Sequence, residues 1–350
     1  MKKLLSLLLA ILLCAAVFTA CSGNDNGADT TEAESTTEAE STTEETPVLS
    51  ADPVRVMTLK GPTGMGMAKL MSDSAADGTA LNYEFTVAGA PDEFVGDIIQ
   101  GNFELAAVPT NLAATLYAKT EGAVSVVAVN TLGVLYVLEN GSSVNSIEDL
   151  QGKTVYSSGK GAVPEYALNY ILEAFGVECE VIYESEHDVV VSDLISGKAH
   201  IAILPEPKVT AALKNKEAPE GLRIALDLNT LWEQACEKKG DSGVLYMGCI
   251  IVNNAWAESH PAELKAFLSE YADSVDFINT DETAPKLIVE AGIIPAEPIA
   301  KAALPNSNIV CITGEEMNEG LRGFLQVLHG YNPASVGGAL PADGFYYTAD

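Results

Sequence analysis

Hydrophobic and polar positions change their rhythm twice along this 350-residue chain. Leu4 to Phe18 is apolar almost without interruption, whereas Ser22 to Glu45 contains only Ser, Gly, Asn, Asp, Thr, Glu and Ala and has no apolar patterning. From Val54 onward, short apolar runs alternate with segments of helical period, the pattern of an α/β protein. The runs predict strands at Val54 to Leu59, Tyr83 to Val87 and Leu105 to Val108. Helices are predicted from about Met65 to Ser72, at Pro91 to Gln100, and at Leu112 to Tyr117 opened by Thr110-Asn111. Pro91 stands where a helix tolerates proline. Strand, helix, strand, helix with short turns implies mostly parallel sheets covered on both faces by helices.

A second set follows, with strands at Lys153 to Tyr156, Val181 to Tyr183, Ile201 to Leu204 and Arg223 to Leu226. Its helices are predicted at Val163 to Phe175, Val189 to Ser196 and Lys208 to Leu213. Two longer β-rich runs, Val124 to Leu138 and Val244 to Val252, bracket this set and would carry the chain between two lobes. The remainder reads as mainly helical. Pro261 to Phe277 follows the start signal Ser259-His260-Pro261, and Thr313-Gly314-Glu315-Glu316 reads as a capping box before Met317 to Leu328. The expected organisation is a leader over 1–21, a linker over 22–50, a first lobe of 51–138 and 245–350, and a second lobe of 139–244. Two crossings make a hinge, which suits a protein that closes on something.

The first 50 residues acquire meaning from charge and from Cys21. Lys2 and Lys3 precede the apolar run, and Phe18-Thr19-Ala20-Cys21 resembles a bacterial lipobox, whose cysteine thiol is diacylated. A single membrane-spanning helix is the alternative, but Leu4 to Ala20 is at the short end for crossing ~30 Å of hydrocarbon. The expectation is a lipid-anchored protein on the extracytoplasmic face of a bacterial cell membrane, since two acyl chains hold a domain stably. The Ser/Thr/Glu tract carries −8 and is expected to be a disordered, self-repelling spacer.

The formal charge is −30 in all, of which about −24 belongs to the roughly 300 residues of the folded part. Such a surface repels nucleic acid. Cys179, Cys236, Cys249 and Cys311 lie far apart without C-x-x-C spacing, so four free thiols are favoured over a metal or redox site. The four histidines, His187, His200, His260 and His329, form no evident metal set. No G-x-S-x-G, H-E-x-x-H or P-loop is present. Neither a cofactor nor a catalytic residue is expected. His187 with Asp188 is a conceivable acid/base pair, with an exposed loop favoured over it.

Ligands of open α/β sheets bind beyond the carboxyl ends of strands, at helix starts. Four turns occupy such positions here. Gly61-Pro62-Thr63-Gly64-Met65-Gly66 follows the first strand and would let backbone approach a ligand closely. Thr110 and Asn111 follow the third strand, Ser158, Gly159 and Lys160 follow the strand ending at Tyr156, and Glu206 follows Ile201 to Leu204. Each has a plainer reading: Thr110 or Asn111 as a helix cap, Lys160 as a surface charge, Glu206 as a solvated rim residue. Together they place Thr63, Gly64, Met65, Gly66, Thr110, Asn111, Ser158, Gly159, Lys160 and Glu206 around one expected cleft.

The segment VNSIEDLQGKTVY over Val144 to Tyr156 resembles the start of the second lobe in solute-binding lipoproteins of ABC importers. GPTGMG, AAVPTNLAATLY, AILPEP and NPASVGG are similar to segments of their nitrate/sulfonate/taurine and thiamine-precursor group. The resemblance covers about Val54 to Tyr347. It implies a type II periplasmic-binding-protein fold, a closing two-lobe cleft and, for a monomer, delivery of a small solute to membrane permease subunits. Two alternatives stand beside it: an enzyme of the same fold acting on a pyrimidine-like precursor, and an adhesion or interaction lipoprotein. None of the four turns carries an arginine, which argues against a bidentate clamp on an anion.

Overall fold

The structure is a computed structural model that describes residues 49–241 and 243–348; the expected leader, Cys21 and all but the end of the acidic spacer lie outside the described residues. What is described belongs to one compact unit. Four strands precede the first crossing: β1 (Val54–Leu59), β2 (Tyr83–Ala88), β3 (Leu105–Pro109) and β4 (Val124–Thr131). Five follow it: β5 (Leu135–Asn140), β6 (Thr154–Ser157), β7 (Glu180–Tyr183), β8 (Ile201–Pro205) and β9 (Leu222–Asp227). After the second crossing come β10 (Gly248–Asn253) and β11 (Ile309–Ile312).

One sheet has the order β11-β4-β10-β3-β1-β2 and the other β7-β6-β8-β5-β9. Each is mixed rather than mostly parallel. β1 runs parallel to β2 and β3, and β6 runs parallel to β7 and β8. The strands that follow the crossings run the other way: β10 is antiparallel to β3 and β4, and β5 is antiparallel to β8 and β9. A strand that receives the chain from the opposite lobe makes no right-handed crossover and is free to pair antiparallel.

The first crossing lies at Leu132–Val134, earlier than the expected 138/139 boundary, because Leu135–Asn140 pairs wholly within the second sheet. The expected run Val124 to Leu138 is therefore two strands in two sheets. The second run shrinks to Gly248–Asn253, and residues 243–247 form the return crossing. Other boundaries shift for local reasons. The predicted helix at Pro91 to Gln100 breaks into a 3-10 turn, Pro91–Glu93, and a helix, Val95–Gln100, around Phe94, whose ring is buried. Thr313 does sit at a helix N-cap, but its hydroxyl makes no capping bond, so the predicted box is not formed.

Three clusters of buried side chains hold the unit together. Two cover one face of each sheet. The third joins the lobes: Met57, Val108 and Val126 of the first sheet are continuous with Val137, Val155 and Ile203 of the second through helix Gly314–Tyr331. That helix contributes Met317, Leu321, Phe324, Leu325 and Leu328 at i, i+4, i+7, i+8 and i+11 spacing, one apolar stripe. The four cysteines of the folded part are free.

Candidate functional site

Where the carboxyl ends of β1, β3 and β8 face one another, a cavity of about 290 Å³ opens between the lobes. That is about ten water volumes at liquid density. Pro62, Thr63, Pro109, Asn111 and Thr131 border it from the first lobe, and Ala162, Val163, Pro164, His187, Pro205 and Glu206 from the second. Val134 of the first crossing, Leu135 at the start of β5 and Met247 of the second crossing complete the wall. The lining is mostly apolar and contains no lysine or arginine.

Both crossings are pinned beside it. Met247 N–H donates to Thr131 O at 3.0 Å, Leu132 N–H to Asn308 O at 3.0 Å, and Glu206 N–H to Val134 O at 3.0 Å. The Asn308 amide also donates to Gly133 O. The lobes touch again through Glu297–Ala303 against Lys208–Leu213. Asn306 bridges this contact to the cavity, since its carbonyl accepts from Tyr136 Oη at 2.9 Å and its amide reaches Glu206 Oε1 at 3.5 Å.

Of the ten residues expected at the cleft, the structure brings Thr63, Asn111 and Glu206 onto the wall. Gly64, Met65 and Gly66 are placed differently: all three are buried in helix Pro62–Met65 and its end, packed on the first sheet. A Cβ at Gly64 would lie 2.1 Å from Leu59 O, and one at Gly66 would lie 2.6 Å from Tyr271 Oη. These glycines are required by close approach to the protein's own backbone and side chains, not by the cavity. Met65 is a core residue among Val54, Val56 and Met67. Thr110 is buried with its hydroxyl donated to Tyr246 O, and its N–H reaches Met247 O at 3.3 Å, so it ties a helix start to the return crossing.

On the second lobe, Gly159 has φ +75°, a conformation that favours glycine, and packs on Pro164. Lys160 is exposed, with Nζ 5.9 Å from the centre of the Tyr183 ring, which is the plain reading of a surface charge. Ser158 is buried and hydrogen-bonds His187 Nδ1. His187, conceivable from the sequence as an acid/base partner of Asp188 but read by preference as part of an exposed loop, begins helix His187–Ile195 and lines the cavity. Burial, with Lys208 nearby, pushes its pKa below the usual histidine value against a smaller opposing effect of Asp188. The direction of this bond follows the ring tautomer, since the Ser158 hydroxyl can donate to Nδ1 or accept from it. Among the described residues Nε2 has no partner, so the pair lacks the third group that would orient a catalytic base.

Glu206 is 2% exposed. Its carboxylate accepts from Thr210 N–H at 3.1 Å and from Thr210 Oγ1 at 3.0 Å, which closes the first turn of Lys208–Leu213 over it. Burial raises its pKa above the ordinary value of 4.5, opposed only by the Thr210 and Asn306 hydrogen bonds. Among the described residues no group of three or more His, Cys, Asp or Glu side chains could hold a metal ion.

Comparison with known proteins agrees with the family resemblance in the sequence. Residues 112–283 match the family described as NMT1/THI5 like. No curated protein matches the chain in sequence. Among solved structures, an ABC transporter protein from Parabacteroides distasonis superposes with a TM-score of 0.69 at 20% identity, over 87% of this chain and 100% of that one. The periplasmic aliphatic sulphonate binding protein SsuA from Escherichia coli gives 0.65 at 14% identity, over 86% and 94%. The alkanesulfonate-binding protein SsuA from Xanthomonas axonopodis pv. citri, bound to MOPS, gives 0.58 at 12% identity, over 85% and 96%. At these identities the likeness establishes the fold, a type II periplasmic-binding-protein architecture.

Proposed function

We propose that this chain is the solute-binding component of an ABC importer, which captures a small molecule between its lobes and presents it to membrane permease subunits. The observation that carries this reading is the cavity of about 290 Å³ whose wall is shared by both lobes and both crossings. A ligand that touches both walls stabilises the closed arrangement by its differential affinity for it, which makes closure a readable signal for a permease. Thr63, Asn111, His187 and Glu206 are the polar groups that would orient the solute. The names of the structural neighbours support the same role.

The protein would work outside the cytoplasm, held by lipid on Cys21. Among the described residues no helix is long and apolar enough to cross a membrane. Fatty-acid labelling of cells tests the anchor: Cys21→Ala should lose the label that the unaltered chain carries, and equal labelling of both would exclude this lipidation site.

Small-angle scattering with and without a saturating solute, found by thermal-shift screening of small metabolites, tests the main reading. The radius of gyration should fall on binding. Filling the wall with Thr63→Trp should abolish both the fall and the binding. A solute that binds equally well to Thr63→Trp would place the site elsewhere.

A further inference from the structure

Five acidic side chains are nearly buried in the described part: Glu104, Glu139, Asp193, Glu206 and Glu263. Three are neutralised by a basic partner. Arg55 meets Glu104 at 2.6 Å, Arg223 meets Glu139 at 2.7 Å, and Lys198 meets Asp193 at 2.7 Å. Glu263 accepts the Ser50 N–H, next to where the described chain begins. Glu206 faces the cavity between the lobes, and no basic group of the described residues lies within ion-pair distance of it.

The comparison with Glu139 is informative, because both residues belong to the second lobe and both are buried. Burial raises the pKa of Glu139 too, but bonds from Ser143 and Val144 and the charge of Arg223 outweigh it and the net displacement is downward. For Glu206 no cation enters, and burial wins. A buried carboxylate without a counter-charge is unfavourable, and one that borders a cavity is a candidate for a functional site. The three bonds it accepts leave part of its capacity of about four unused.

Resting on the interlobe reading above, we infer that the solute supplies the missing charge: the site takes a small cation whose positive group carries N–H donors, such as a primary ammonium, an amidinium or a guanidinium. The rest of the wall is consistent with that chemistry. Pro62, Pro109, Val163, Pro164 and Met247 offer apolar surface to a hydrocarbon body. His187 is half-buried, and burial with Lys208 nearby disfavours its charged form, which lessens its repulsion of a cation. Lys208, two residues further along the chain, is paired with Asp188. An anion, by contrast, would meet Glu206 with no lysine or arginine on the wall to offset it.

Thermal-shift and calorimetric titrations of the full chain test this with n-propylammonium, acetamidinium and methylguanidinium as probes. Methanesulfonate, nitrate and uncharged propionamide, at matched ionic strength, are the comparison set. At least one cation should bind more tightly than all three comparison molecules. Glu206→Gln, which keeps shape and one acceptor, should weaken that cation at least tenfold. Asn111→Lys, which places a charge on the opposite wall, should weaken it as much without touching Glu206. A cation whose affinity is unchanged in both variants overturns the inference, and so does preferred binding of methanesulfonate, nitrate or propionamide. In the latter case loss of that binding in Thr63→Trp would leave the interlobe site standing with a different solute class. A response to none of the six probes also overturns it, and the scattering experiment then decides the interlobe reading alone.

Discussion

Glu206 contributes to the pH dependence of the empty protein. Its folded pKa is raised by burial above the ordinary 4.5. Its contribution to stability is therefore fully present below the unfolded value and is lost as pH rises through the folded one, by about 1.4 kcal/mol for each unit of displacement. Glu206→Gln removes the titration. In thermal melts without solute, the variant should gain on the unaltered protein as pH rises above the ordinary 4.5, and a difference independent of pH would show that burial does not displace the titration of Glu206. Arg223 poses the opposite case. Arg223→Ala strands the buried Glu139, and because the arginine is partly exposed the expected loss is about 2 kcal/mol, below the 3–5 kcal/mol of a fully buried pair; urea unfolding measures it. Gly64 shows the limit of legibility at this scale. The sequence makes a glycine conspicuous after β1, but it cannot say which neighbour crowds it. The crowding atom is Leu59 O, so Gly64→Ala should destabilise by about 3 kcal/mol through a backbone shift. Glu206 was legible as a polar group after a buried strand; that its carboxylate would be sealed in by Thr210 was not.

Elements were legible where a period ran long enough to be counted. Val163–Phe175 and Lys208–Leu213 fall where the pattern places them, as does β1. Helix Leu228–Lys239 was missed although Leu228, Leu231, Trp232, Ala235 and Cys236 repeat at i, i+3, i+4, i+7 and i+8; its start is marked by Asp227, whose carboxylate accepts from Asn229 N–H at 2.8 Å. The four-residue β11 was missed because it lies in the remainder that reads as mainly helical. The first crossing was hidden for a different reason: Leu132 and Val134 are as apolar as the strands they separate, so only Gly133 interrupts the run. Gly133 is also where an element boundary becomes mechanical. A Cβ there would lie 2.5 Å from Asn229 Oδ1 and 2.6 Å from Asn229 Cβ. Gly133→Ala should push the start of Leu228–Lys239 away from the crossing, costing about 1–3 kcal/mol by overpacking. Asn229→Gly supplies the check, because in that background the added methyl has room and most of the loss should vanish. If the double variant is no more stable than Gly133→Ala alone, the crossing is not crowded by this helix.

For the whole molecule, two lobes and two crossings follow from the order of strands and helices, while the joint between the lobes does not. The capping signal and the amphipathic stripe locate helix Gly314–Tyr331, but periodicity cannot name the surface a stripe will meet. In the structure it meets the second lobe. Trp232 lies against Tyr170, with ring centres 4.5 Å apart, and against Phe324 of this helix at 5.7 Å. Around that core, Tyr331 Oη donates to Glu173 at 2.5 Å and the Asn332 amide to Tyr166 Oη at 2.8 Å. The lobes therefore share a packed seam on the helix side and a hydrogen-bonded cavity at the strand ends. A close-packed seam resists sliding, so motion between the lobes should pivot there and open the cavity. Phe324→Ala tests this. Removing a fully buried ring should cost about 3–5 kcal/mol in urea unfolding. It should also loosen the pivot, so that scattering of the empty protein reports a larger radius of gyration while saturating solute still draws the lobes together. Solute affinity should then fall, because part of the binding free energy is spent on closing a more open ensemble. Trp256→Phe in the same background leaves Trp232 as the single indole, and its emission should move to longer wavelength in the empty Phe324→Ala protein and return towards the original on binding. An emission and a radius of gyration that match those of the unaltered protein, despite the lost stability, would mean that the seam holds the fold together without governing how the cavity opens.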